Sequence, residues 1–84
     1  MALLNIGYSS HVLLARVLWI APFQGQALKK LKKAREAEGK LADLTFGHAA
    51  TSIVALDEGT LVLTAVSAEA LRRRLNKPLK EEEQ

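Results

Sequence analysis

Cysteine is absent from the 84 residues, which removes disulfides, thiolate metal sites and cysteine nucleophiles in one step. Aromatic residues are scarce, with two Phe, one Tyr and one Trp. No apolar run approaches the roughly 20 residues of a membrane span, and the longest, beginning at Val12, is interrupted by Arg16. No basic residue precedes that run, so it does not read as a secretory signal. A soluble, cytoplasmic protein with no membrane partner is expected. Also missing are a phosphate-binding glycine loop, a dinucleotide fingerprint and any metal-ligand pattern. His11 and His48 are the only imidazoles, and neither has a second ligand at useful spacing. Ser9 and Ser10 stand beside His11, but neighbours along a strand point to opposite faces. No nucleophile, base and orienting group can be assembled, so the expectation is no enzyme, no cofactor, no metal and no small-molecule substrate.

What is present in surplus is apolar surface. Hydrophobic residues make up 49% of the chain, yet a domain of this size buries only about 60 to 65% of the surface its unfolded chain exposes. Another copy of the chain is the simplest cover for the excess. The formal charge of +3 understates how basic the body is, because Glu81, Glu82 and Glu83 stand in the last four residues. Without them twelve basic residues face six acidic ones, a balance suited to a polyanionic partner.

The pattern along the chain predicts two strands, 2–6 and 12–20, joined by a turn at Gly7, Ser9 and Ser10. The second is apolar on both faces and should be covered on both, with Pro22 ending it. From Gln24 to Glu38 the period becomes helical: Ala27, Leu28, Leu31, Ala34 and Ala37 form one stripe, and Lys29, Lys30, Lys32 and Lys33 face elsewhere. Gly39 suits the position past the helix end. A short strand within 41–46 follows, stopped by Gly47. Two apolar runs around Asp57, Glu58 and Gly59 then read as a hairpin. Ser67 should cap a second helix from Ala68, with Glu69 in its first turn and Arg72, Arg73 and Arg74 near its end. The order is β-β-α-β-β-β-α, the class α+β and mostly antiparallel. One domain over 1–75 and a charged, disordered tail over 76–84 are expected.

Two basic features stand out. "KKLKK" at 29–33 is either the solvated face of an amphipathic helix or a phosphate-contacting face. Arg16 lies inside an apolar run, where an unpaired guanidinium would be costly to bury; it has a buried partner or it points outward.

Taken together, "NIGY" at 5–8, Arg16, "IAP" at 20–22, "GKLADLTFG" at 39–47, Asp57 and "LTAVSAEAL" at 63–71 resemble the RemA family of bacterial extracellular-matrix regulators. The resemblance runs from about Leu4 to Leu75, apart from a one-residue length difference around the first helix. It implies a LytTR-like subunit, closure of subunits into a ring, and double-stranded DNA following the outer rim in the nucleoid. It also implies that Arg16 contacts DNA. The family typically carries two adjacent arginines after the "TFG" glycine and a third soon after, where this chain has His48, Ala49 and Thr51. Ser9 and Ser10 likewise replace the usual glycine and asparagine. The nucleic-acid-binding residues expected here are therefore Arg16 and His48, helped by Lys29, Lys30, Lys32 and Lys33, in a ring-forming regulator of transcription or biofilm matrix. The alternative is an oligomeric scaffold or protein-interaction module that has lost DNA.

Overall fold

Strands β5 (Ser52–Leu56) and β6 (Leu61–Thr64) form the centre of the fold, and their sequences, SIVAL and LVLT, carry almost no residue that favours water. Both must be covered on both faces, and the rest of the chain is arranged to do it. The computed structural model describes residues 2–76 and 79–80. Of the tail 76–84 expected to be disordered, residues 77, 78 and 81–84 lie outside the described residues, whereas Asn76 ends the second helix and Leu79–Lys80 pair with the first strand.

The order is β1 (Ala2–Gly7), β2 (Ser10–Leu13), a single 3-10 turn at Leu14–Arg16, β3 (Val17–Pro22), α1 (Gln26–Ala37), β4 (Leu41–Asp43), β5, β6, α2 (Ala68–Asn76) and β7 (Leu79–Lys80). The class is α+β. A four-stranded sheet runs β3-β5-β6-β4, antiparallel except where β4 lies parallel to β6, and a three-stranded antiparallel sheet runs β2-β1-β7. On one face of the larger sheet Val54 and Val62 meet Leu4 and Ile6 of β1 and Leu71 of α2. On the other, Ile53, Ala55, Leu61 and Leu63 meet Leu28 and Leu31 of α1.

The hairpin between β5 and β6 forms as its residues predict, with Glu58 and Gly59 both in the left-handed region at φ 64° and 80°. Ser67 caps α2 through a bond from the Ala70 amide to its Oγ at 3.1 Å. Buried hydroxyls link the layers: Thr64 donates to the Ile6 carbonyl at 2.7 Å, and Ser52 donates to the Val66 carbonyl. Gly7, at φ 95°, is required where it stands, because a Cβ there would lie 2.8 Å from Val66 Cγ2.

Three expectations are corrected. The apolar run 12–20 is not one strand. The 3-10 turn at Leu14–Arg16 divides it, sending β2 to the small sheet and β3 to the edge of the large one. Consequently β3 is not covered on both sides. Its pairing with β5 slips by a residue between Val17 and Trp19, a bulge that increases local twist, and Leu18 and Trp19 stay 65% and 39% exposed. The strand expected within 41–46 uses only its first three residues. The Asp43 carboxylate then accepts from the Thr45 amide at 3.0 Å and hydroxyl at 2.6 Å, diverting the backbone from the ladder. Finally, only Leu28 and Leu31 of the α1 stripe pack on the core, while Ala27, Ala34 and Ala37 remain exposed.

Leu71 is fully buried and fixes α2 to β1 and β5. Leu71→Ala is expected to cost about 2 to 5 kcal/mol, the usual range for emptying such a site. Urea unfolding at fixed protein concentration measures it.

Candidate nucleic-acid interface

The 3-10 turn turns Arg16 out of the apolar run that surrounds it in sequence. Its guanidinium meets the carboxylate of Asp57 on the β5–β6 loop: Nε lies 2.9 and 3.1 Å from the two carboxylate oxygens and Nη2 lies 2.8 Å from Oδ1. Both side chains are about half exposed, at 49% and 45%. Arg16 thus has a partner and also faces solvent. The hydrogen bond that Arg16 donates to Asp57, reinforced by the carboxylate's charge, holds the guanidinium pKa above its ordinary value, so Arg16 is a cation at any working pH. The contacts use Nε and Nη2, which leaves the Nη1 donors out of the pairing.

The four lysines occupy a different layer. With Phe23 and Gln26 they line a cleft of about 430 Å³ along α1, and Lys29, Lys30 and Lys33 are exposed while Lys32 is half-buried. Of the arginines in α2, Arg74 is used structurally, donating from Nη1 to the Asn5 carbonyl at 2.9 Å and tying the helix to β1.

His48 lies on the loop after β4, its amide bonded to the Thr45 carbonyl at 3.1 Å. The loop is shaped by Asp43, whose two bonds from Thr45 pull the carboxyl pKa below its ordinary value, with a smaller contribution from the charge of Lys32. His48 stacks on Tyr8 at 5.1 Å and 13°, and Tyr8 also meets Phe46 at 5.5 Å and 59°. Neither aromatic stood out in the sequence as a site residue. The one signal was their place beside Gly7 and Gly47, in turns where positive φ is common.

Register shows which of these residues are neighbours. Arg16 precedes Val17, which pairs with Leu56 at one end of β5, whereas Ser52, at the other end, pairs with Thr64. The His48 loop follows β4, which runs alongside β6 toward that second end. Arg16 and His48 are therefore separated by the length of β5, roughly 17 Å at 3.4 Å per residue. One subunit does not gather Arg16, His48 and the lysines into a single patch.

Among the described residues no group of three or more acidic or imidazole side chains is placed to hold a metal. Among them, too, no helix is long and apolar enough to cross a membrane.

The class defined by this architecture is a small α+β domain that carries its charged and aromatic side chains on loops and on one helix face. The chain belongs to the RemA-like family: the profile described as "Extracellular matrix regulatory protein A-like" matches residues 3–75. A protein of Thermotoga maritima is 35% identical over 72 residues, covering 86% of this chain and 78% of its own length. One from Leptospira biflexa is 32% identical over 86% of this chain and 77% of its own. One from Maridesulfovibrio salexigens is 33% identical over 86% and 84% respectively. All three are named "Putative regulatory protein"; none is named as an enzyme.

Two outcomes follow from the geometry. Arg16→Ala should fold with an unchanged circular-dichroism spectrum and a melting temperature close to that of the parent, because exposed ion pairs contribute little; insoluble protein would contradict the placement. For Asp43, a carboxyl whose folded pKa is lowered stabilises above its unfolded pKa and loses that contribution as the pH falls through the folded value. Asp43→Ala should therefore melt below the parent at neutral pH. The gap should close as the pH falls below the ordinary carboxyl value of 3.8, as thermal melts across that range would record.

Proposed function

We propose that this chain is a ring-forming regulator that binds double-stranded DNA through phosphates on the outer rim of the ring. The observation that carries the reading is Arg16, a permanent cation facing solvent at the head of an edge strand whose Leu18 and Trp19 stay exposed among the described residues. An uncovered apolar edge strand is a template for another chain. Beside it a cleft of about 460 Å³ opens between β3 and α2, lined by Ile20, Pro22, Ala68, Glu69, Arg72 and Leu75. A second copy seated there buries the surplus apolar surface and repeats Arg16 at regular intervals around the assembly. Repetition also answers the separation of the patches, since a duplex following the rim meets Arg16 and the α1 lysines in turn. Each contact is weak, and a ring multiplies it by the number of subunits. The regulatory role accords with the names of the relatives.

A scaffold without DNA is favoured by one observation, the Arg16–Asp57 pair, which engages part of the guanidinium within the subunit. An assembled protein that shifts no duplex at low salt would establish it.

The test is sedimentation and duplex titration on one preparation. The parent should sediment well above the 9.2 kDa chain mass at micromolar concentration, and a monomer there defeats the ring. Arg16→Ala should keep the assembly and lose duplex affinity steeply, with a salt slope shallower by about 0.9 per contact removed. Conversely, His48→Arg combined with Ala49→Arg should tighten duplex binding and steepen its salt dependence. Undiminished affinity in Arg16→Ala would remove that residue from the interface.

A further inference from the structure

Tyr8, Phe46 and His48 form a cluster that the fold does not need. None of the three belongs to either core, and Tyr8 and Phe46 are 49% and 60% exposed. Phe46 is also held in the left-handed region, at φ 52°, a conformation that bulky residues seldom adopt and that concentrates at ligand contacts, whereas Tyr8, at φ 50°, shares with Ser9 the two-residue turn that joins β1 to β2. Two separate loops converge to bring the rings together, Tyr8 lying 5.1 Å from His48 and 5.5 Å from Phe46.

The lysine cleft lies at the same end of the larger sheet. Phe23, in its lining, donates its amide to the Thr51 carbonyl at 2.9 Å, and Thr51 ends the loop that carries Phe46 and His48. Lys32 is near enough to Asp43, at the other end of that loop, to favour its charged form. Basic side chains and exposed rings together at one end of a molecule suit an unpaired strand, because every base offers a π face and every linkage a phosphate. An intact duplex keeps its base faces stacked inside and gives such rings nothing to bind.

We propose that this end of the molecule binds single-stranded DNA, with Tyr8, Phe46 and His48 stacking on unpaired bases and the cleft of Lys29, Lys30, Lys32 and Lys33 taking the backbone phosphates. The proposal rests on the DNA-binding reading above and adds the strand state that the aromatic cluster selects. The lysines meet the phosphates of either strand state, and Arg16, at the opposite end of β5, meets the duplex alone.

Fluorescence anisotropy on the full chain, with labelled oligothymidine of 15 or so nucleotides against a blunt duplex of similar phosphate number, tests it. Phe46→Ala and Tyr8→Ala should each weaken the single strand by roughly ten- to a hundredfold, the scale of one lost base stack, and leave the duplex within about twofold. Phe46→Leu keeps the apolar bulk without the π face and should fail in the same way, while Tyr8→Phe should retain binding. Equal losses on both probes, or no loss on the single strand, would overturn the proposal. So would a variant that changes the sedimenting mass, since the cluster would then be a subunit contact. A parent that binds duplex and ignores the single strand defeats this inference alone, whereas one that binds neither defeats the DNA-binding reading as well.

Discussion

The structure depends on one constraint: β5 and β6 are apolar on both faces, so the central hairpin needs a layer on each side. Burying it is the main source of stability in a domain too small to have another. The chain supplies α1 for one face and β1, β2 and α2 for the other, and among the described residues nothing further covers Leu18 and Trp19 of β3. The exposed Leu18 and Trp19 are thus a consequence of where the covering elements were used. The same constraint explains the buried hydroxyls of Ser52 and Thr64. Each sits in a strand with no solvent face, so each must bond within the protein, and the carbonyls of Val66 and Ile6 supply the acceptors.

A sheet buried on both faces forces polar chemistry to its ends. Arg16 and Asp57 meet at one end, where β5 turns into β6. Tyr8, Phe46 and His48 meet at the other, beyond β4 and β1. The lysines escape this rule only because α1 lies outside the sheet. The charged side chains are therefore spread over the ends of the sheet and the outer face of α1. A partner that touches several of these places must be long, or the subunits must be repeated, and a polyanion on a multi-subunit ring satisfies both conditions.

Much of this was legible in the sequence. The hairpin at Asp57–Gly59, the Ser67 cap and the span of α1 to within two residues followed from local chemistry, because turn glycines, caps and a 3.6-residue period are local signals. The break at Leu14–Arg16 was not legible: no glycine or proline marks it, and a continuous apolar run looks the same whether it is one buried strand or two edge strands. Pairing decided the matter, and pairing is a long-range property. Of the candidate site, the residue types were legible and the grouping was not. Nothing near Arg16 in sequence names Asp57, 41 residues away, as its partner. Nor does spacing place Tyr8 against His48.

The core obeys local rules throughout, and among the described residues no buried side-chain polar atom lacks a hydrogen bond. Departures from those rules fall elsewhere. Tyr8, Ser9 and Phe46 occupy left-handed backbone at a cost of about 1 to 3 kcal/mol each. α1 follows Gly25 with no side-chain cap, and β3 presents an apolar edge to water. The left-handed pair Tyr8–Ser9 makes the turn between β1 and β2, but folding gains nothing evident from the others, and a marginal domain tolerates few such costs. All of them lie on surface rather than in the core, which is the distribution expected when local consistency is given up for contact with another molecule. The loop that carries Phe46 and His48 is one of the strained ones. There Tyr8, Phe46 and His48 bring their rings together at the surface, outside both cores.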